Sequence, residues 1–144
     1  MKKYLVMFLT LIGFLVPTAA PAAPSISLKN AAVINLPIGN GNLDPINKFM
    51  LDSVGKRDFV DLVINSPGGS VIDGFALLNR MDYARSKGVT INCYVPELAA
   101  SMAFQILLHC DNRYALKNAG LLWHRVSVHI NGARLNSLNV ADLL

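Results

Sequence analysis

The chain has 144 residues, 53% of them hydrophobic and 15% charged, with 13 Lys and Arg against 9 Asp and Glu and a formal charge of +4. That length suits one domain, able to bury roughly two-thirds of its unfolded surface. No low-complexity linker, charge block or repeat divides it, and basic residues scattered among acids give no one-sided footprint for nucleic acid.

Met1-Lys2-Lys3 is followed by an apolar run over residues 4–16, and then by Pro17-Thr18-Ala19-Ala20-Pro21-Ala22-Ala23-Pro24. A basic start, a short apolar stretch and small residues in that order predict a secretory signal peptide over residues 1–22, cut after Ala22. The apolar run falls short of the roughly 20 residues that span a bilayer as a helix. The expectation is therefore an exported protein with a mature domain over 23–144, anchoring by an uncleaved leader being the alternative. Loss of Lys2 and Lys3 takes the charge from +4 to about +2.

Within the mature part, residues 32–36 read as a strand. Asp44-Pro45 supplies an N-cap and a first-turn proline for a short helix carrying Ile46, Phe49 and Met50. Residues 59–64 form an apolar strand ending at the turn-rich Asn65-Ser66-Pro67-Gly68-Gly69-Ser70. A helix follows, with Val71, Phe75, Leu78 and Met81 spaced along one face; Arg85 and Lys87 lie where its dipole favours cations, and Gly88 ends it.

Residues 89–95 are β-branched and read as a strand, and residues 99–110 as a second helix after Pro96-Glu97. Short strands are expected near 113–116 and 120–126. Alternating strands and helices imply an α/β fold with a mainly parallel sheet and helices on its faces. Apolar runs such as Leu62-Val63-Ile64 and Ile106-Leu107-Leu108 suggest elements buried on both sides. Ligands of such sheets gather beyond the carboxyl ends of the strands. Cys93 and Cys110 are an even pair for which an oxidising compartment permits a disulfide; two buried thiols is the preferred reading.

Two loops leave neighbouring strand ends with what acyl transfer requires. In Ser66-Pro67-Gly68-Gly69 the glycines let backbone N–H groups approach a substrate oxygen, although an ordinary tight turn has the same composition. In Ala99-Ala100-Ser101-Met102-Ala103 a serine between alanines sits in the first turn of a helix, where unpaired N–H groups favour developing negative charge. His124, after Leu121-Leu122-Trp123, emerges at another strand end and can accept a serine's proton and return it to a leaving amine. His109 and His129 read as structural or solvated.

Taken in order, Asn65-Ser66-Pro67-Gly68-Gly69-Ser70, Ala99-Ala100-Ser101-Met102-Ala103 and Leu122-Trp123-His124-Arg125 resemble the motif set of the proteolytic subunit of the Clp protease. The similarity covers roughly residues 33–125. It implies a spiral of strand and helix units of the Clp and crotonase kind, and peptide-bond hydrolysis through an acyl-enzyme. By position, Ser101 matches the family nucleophile and His124 its base. The amides near Gly69 and of Met102 match the oxyanion hole, with Gly68 in the same loop. Peptides or unfolded proteins are the implied substrates and a homo-oligomer an implied state, with no metal or organic cofactor called for.

Three departures qualify the match. Family members carry an acid well beyond the histidine, and Asp142, the acid downstream of His124, comes too early for it. An unaided dyad would be slow, by on the order of 10⁴ in the best-studied triad. Glu97-Leu98 stands where the family more often has a glycine and a polar residue, on the side of substrate approach. An exported domain would also have no ATP-driven unfoldase as partner. The competing readings are a serine and lysine dyad of the signal peptide peptidase type, with Lys117 as base, and a non-catalytic assembly or binding protein that keeps the fold.

Overall fold

The computed structural model describes residues 30–125, 127–130 and 133–136. The expected leader over 1–22 and Asp142 lie outside them. The central sheet has four parallel strands in the order β1 (Ala31–Ile34), β2 (Phe59–Ile64), β3 (Thr90–Val95) and β5 (Asn112–Ala115). A second, two-stranded parallel sheet pairs β4 (Leu98–Ala100) with β6 (Gly120–Leu122). An antiparallel pair, β7 (Ser127–Ile130) and β8 (Ala133–Asn136), follows, with His129 opposite Arg134. Three helices, α1 (Asp44–Ser53), α2 (Val71–Ser86) and α3 (Met102–Leu108), connect the strands. The predicted α/β class with a mainly parallel sheet is what forms.

Pleating decides which side is core. Ile34, Val60, Leu62, Ile64, Ile91, Cys93 and Val95 share one face by register and form a single cluster with Met50, Leu77, Met81 and Ile106 of the helices. The opposite face differs from the expectation of burial on both sides. Val33 is exposed there and Val63 half-buried, and the aligned Asp61, Asn92 and Asn112 form a polar ladder. Asn92 Nδ2 donates to Asp61 Oδ1 at 3.0 Å and Asn112 Nδ2 to Asn92 Oδ1 at 2.9 Å. Beside the ladder Tyr94 and Tyr114 stack at 5.0 Å. Burial first, and then the nearby Asp61 carboxylate, raise the Tyr94 hydroxyl above its ordinary pKa.

Several local expectations shift. Asp44 is the first helical residue rather than the cap: Leu43 occupies the cap position without a side-chain bond, Pro45 falls in the first turn, and the turn before it closes through Asp44 N–H to Gly41 O at 3.0 Å. The buried face of α2 runs through Gly74, Leu77, Leu78, Met81 and Ala84, whereas Phe75 is 53% exposed and Val71 half-buried. Ser70 caps this helix through Oγ, accepting from Asp73 N–H at 3.3 Å. Gly88, at φ 87°, ends it as expected, Val89 N–H returning to Ala84 O at 3.1 Å. Ala99 and Ala100, predicted helical, belong to strand β4 because β6 offers a hydrogen-bonding edge, so the helix begins only at Met102.

Cys93 and Cys110 are bonded to each other, with Cα atoms 6.0 Å apart. The preference for two thiols is thereby corrected: β3 and the end of α3 pack close enough to bring two buried sulfurs together. Leu108 is another correction, since it faces out of the core while Ile106 and Leu107 are buried.

Candidate active site

The Ser66-Pro67-Gly68-Gly69 loop is built around buried Ser66. Its Oγ donates to Leu36 O at 2.7 Å and accepts from Gly68 N–H at 3.1 Å. Its backbone joins the strand that leads to Ser101: Ser66 N–H donates to Leu98 O at 2.9 Å and Ala100 N–H to Ser66 O at 3.0 Å. Asn65 Nδ2 donates to Glu97 Oε2 at 2.9 Å. The departure at Glu97 is thus spent on fastening this loop to the Pro96-Glu97 turn, and Glu97 does not line the cavity described below.

The two glycines do different things. A Cβ on Gly68, at φ 87°, would meet Ala100 O at 2.5 Å and Ser101 Cβ at 2.7 Å, so the missing side chain is what lets the loop lie against the serine. Its amide is committed to Ser66 Oγ, which leaves Gly68 a packing role in the loop. Gly69 lies against Ile38: a Cβ there would fall 2.1 Å from Ile38 O. Ser70 N–H donates to that same oxygen at 2.7 Å.

Ser101 sits between β4 and α3 at φ 55° and ψ −122°, without a side-chain cap bond. For a residue with a Cβ this is a strained conformation, of a kind that persists only where neighbours impose it. They do. Ser101 N–H donates to Leu122 O at 2.8 Å, so the strand that leads to His124 holds the serine's own backbone. On the other side Met102 opens α3, where its amide has no partner within the helix. Met102 packs where Gly74 of α2 has no side chain; a Cβ at Gly74 would come within 2.3 Å of Met102 Cγ.

Gly69, Ser101, Met102 and His124 all line one open cavity of about 430 Å³, with Phe75 and Trp123 among its walls. The site residues expected from the motifs are thus gathered in one place, Gly68 standing just behind Ser101. His124 is exposed, and its Nδ1 lies 2.7 Å from Arg125 O. A carbonyl only accepts, so Nδ1 is the donor in this contact, and in the neutral ring Nε2 is then the nitrogen with the lone pair. Lys117 falls in the turn between β5 and β6 and is not part of the cavity wall. His109 is structural as expected: its Nε2 is 2.8 Å from Asp82 Oδ1.

Val71 and Phe75 line the cavity, which the periodicity did not show: Val71 also packs against the core, whereas Phe75 is turned out of it. The signal that could have separated them is Gly74, a helix-weakening residue whose presence marks the face where α3 approaches.

Among the described residues no cluster of His, Cys, Asp and Glu could hold a metal ion, and no helix is long and apolar enough to cross a membrane.

Comparison with known proteins agrees with this geometry. The family model for Clp protease matches residues 46–141. Proteolytic subunit 1 of the ATP-dependent Clp protease of Streptomyces coelicolor is 43% identical over 75 residues, covering 50% of this chain and 32% of its own. Subunit 2 from Tropheryma whipplei is 31% identical over 98 residues, covering 66% and 52%. The crystal structure of the ClpP protease catalytic domain from Plasmodium falciparum superposes with a TM-score of 0.61 at 27% identity, over 67% of this chain and 55% of that one. The aligned segments thus span 32% to 52% of these two curated relatives.

Proposed function

The chain belongs to the Clp protease family, and from that premise we propose that it is a serine-type endopeptidase acting on peptides or unfolded proteins, with Ser101 as nucleophile and His124 as base. The observation that carries the reading is the strained Ser101 backbone, at φ 55°, on the wall of a cavity that His124, Gly69 and Met102 also line. Strain of this kind gathers at sites where a group is held for chemistry.

In the proposed reaction Ser101 Oγ adds to the scissile carbonyl carbon while its proton passes to His124 Nε2. The amides of Gly69 and Met102 face the developing oxyanion. As the carbon–nitrogen bond breaks, Nε2 hands the proton to the departing amine, leaving an acyl-enzyme. Water, losing a proton to Nε2, then frees the acid and restores the hydroxyl. The contact from Nδ1 to Arg125 O supports Nε2 as the accepting nitrogen. Such acyl transfer calls for no metal or organic cofactor.

An open cavity with Val71, Phe75 and Trp123 in its walls favours extended chains whose apolar side chains are already unmasked. Export is part of the proposal: the basic, apolar and small-residue order of residues 1–22 supports it, as does the Cys93–Cys110 bond, since such bonds persist in oxidising compartments. No ATP-driven unfoldase is then expected. Exposed Leu121, Leu122 and Trp123 support self-assembly into a homo-oligomer.

Hydrolysis of a fluorogenic peptide by the full chain tests the assignment. Ser101→Ala and His124→Ala are each expected to lower turnover by on the order of 10³ or more, and Lys117→Ala to leave it unchanged. Activity lost in Lys117→Ala and kept in His124→Ala would move the base to the lysine. A folded wild-type chain with no turnover on any peptide would favour the non-catalytic reading.

A further inference from the structure

The disulfide encloses the nucleophile. Cys93 lies in β3, Cys110 just past α3, and Ser101 falls at the middle of the loop they close, the two cysteines being 17 positions apart in sequence. Before the serine the loop is tied by hydrogen bonds from Ala100 to Ser66 and from Ser101 to Leu122. After it comes α3, a helix of only 7 residues, too short to hold its own direction. Its far end is fixed by the bond to Cys93, both cysteines being buried in the core.

The other ties at that end are the buried side chains of Ile106 and Leu107, Asp111 N–H donating to Ile91 O at 3.0 Å, and ion pairs at the surface. Arg85 reaches Asp111 and Asp82 at 2.8 Å each and also bonds His109 O, with Arg85 and Asp111 side chains about one-third exposed. Asp111 Oδ2 accepts from Ile91 N–H at 2.8 Å. Ties of this sort are weakened by side-chain entropy and salt. The covalent bond, unlike these ion pairs, is weakened by neither.

We infer that Cys93 and Cys110 are positioning residues for Ser101: their disulfide anchors the far end of α3 so that its start keeps the serine in the strained conformation needed for attack. This rests on the peptidase reading and adds to it that the nucleophile attacks faster when the pair is oxidised. Forming the bond takes two thiols to one sulfur–sulfur bond. Two protons and two electrons pass to an oxidant of the disulfide-exchange class, which leaves as two thiols. A dithiol such as dithiothreitol runs the same step backward. Reduction loosens the far end of α3 and lets Ser101 relax to a negative φ, which shifts Oγ from its place in the cavity wall that Gly69 and His124 share.

The test compares oxidised full chain, chain reduced with dithiothreitol, and the volume-conserving variant Cys93→Val/Cys110→Ala. Covalent labelling by a small fluorophosphonate is followed over probe concentration, alongside hydrogen exchange of α2 and α3. The maximal labelling rate is expected to fall roughly 10- to 100-fold in both bond-free forms, as for a misplacement of about 1 Å. Half-saturating probe concentration and α2 protection hold, while α3 amides exchange faster. Reoxidation with glutathione disulfide restores the rate of the wild type. Equal labelling rates in all three forms would overturn the inference, and so would global unfolding of both bond-free forms, which would make the bond a fastener of the whole domain. If no form is labelled, the peptidase reading fails, and hydrogen exchange still decides: unchanged protection of α3 overturns the positioning role as well.

Discussion

Among the described residues two that are not glycine hold the backbone at positive φ, Asn40 at 52° and Ser101 at 55°. Asn40 is exposed between Gly39 and Gly41, in a turn closed by Asn42 N–H to Gly39 O at 3.1 Å. Asparagine visits this region readily, and everything that fixes it lies within a few residues. Ser101 has no such local excuse. Its ψ of −122° lies far from the left-handed helical well, its flanks are alanine and methionine, and the segments that hold it come from Ser66, Leu122 and α3. Nearly the same φ is thus a turn preference in one place and a tertiary imposition in the other, and only the imposed one faces a cavity.

Substitutions can break this contrast. Of the substitutions that probe this contrast, the largest effect on stability is expected at Gly68. Its Cβ space is occupied by Ala100 O and Ser101 Cβ, so Gly68→Ala should destabilise by about 3 kcal/mol and displace the serine. Urea denaturation together with peptide turnover would register both losses. Next, Ser101→Gly should raise stability by about 1 kcal/mol while removing all activity, because relief of strain outweighs the extra freedom of the unfolded chain. A thermal melt of that variant sharpens the comparison when set beside Asn40→Gly. There the backbone was never forced, and the shift should stay within about 0.5 kcal/mol, with turnover intact.

Much of the frame was legible in residues alone. Strand β2 announced itself by its apolar run, α2 by its length and by Gly88, and the three motifs by their order. What escaped depended on partners distant in sequence. Ala99 and Ala100 favour helix by themselves, yet Leu121 and Leu122 pair with them as a strand, and tertiary pairing overrides that weak preference. Counting large apolar residues put Phe75 in the core, since the face that packs is carried partly by Gly74 and Ala84, which such a count does not weigh. The Asp61, Asn92 and Asn112 ladder was hidden for a related reason: each polar residue is isolated within its own strand, and only the register aligns the three. At the site, the motifs supplied Ser101, His124 and the glycines. Nothing in Ala100-Ser101-Met102 signals a positive φ, and the separate tasks of Gly68 and Gly69 emerge only from what surrounds each of them.

The most direct examination of the central claim is to label folded full-length protein with a fluorophosphonate and locate the adduct by mass spectrometry after digestion. A single adduct on the Ser101 hydroxyl, absent when the protein is unfolded before labelling, is the predicted result. An adduct on another serine, or equal labelling of folded and unfolded chains, would contradict the idea that the fold holds this one residue for attack.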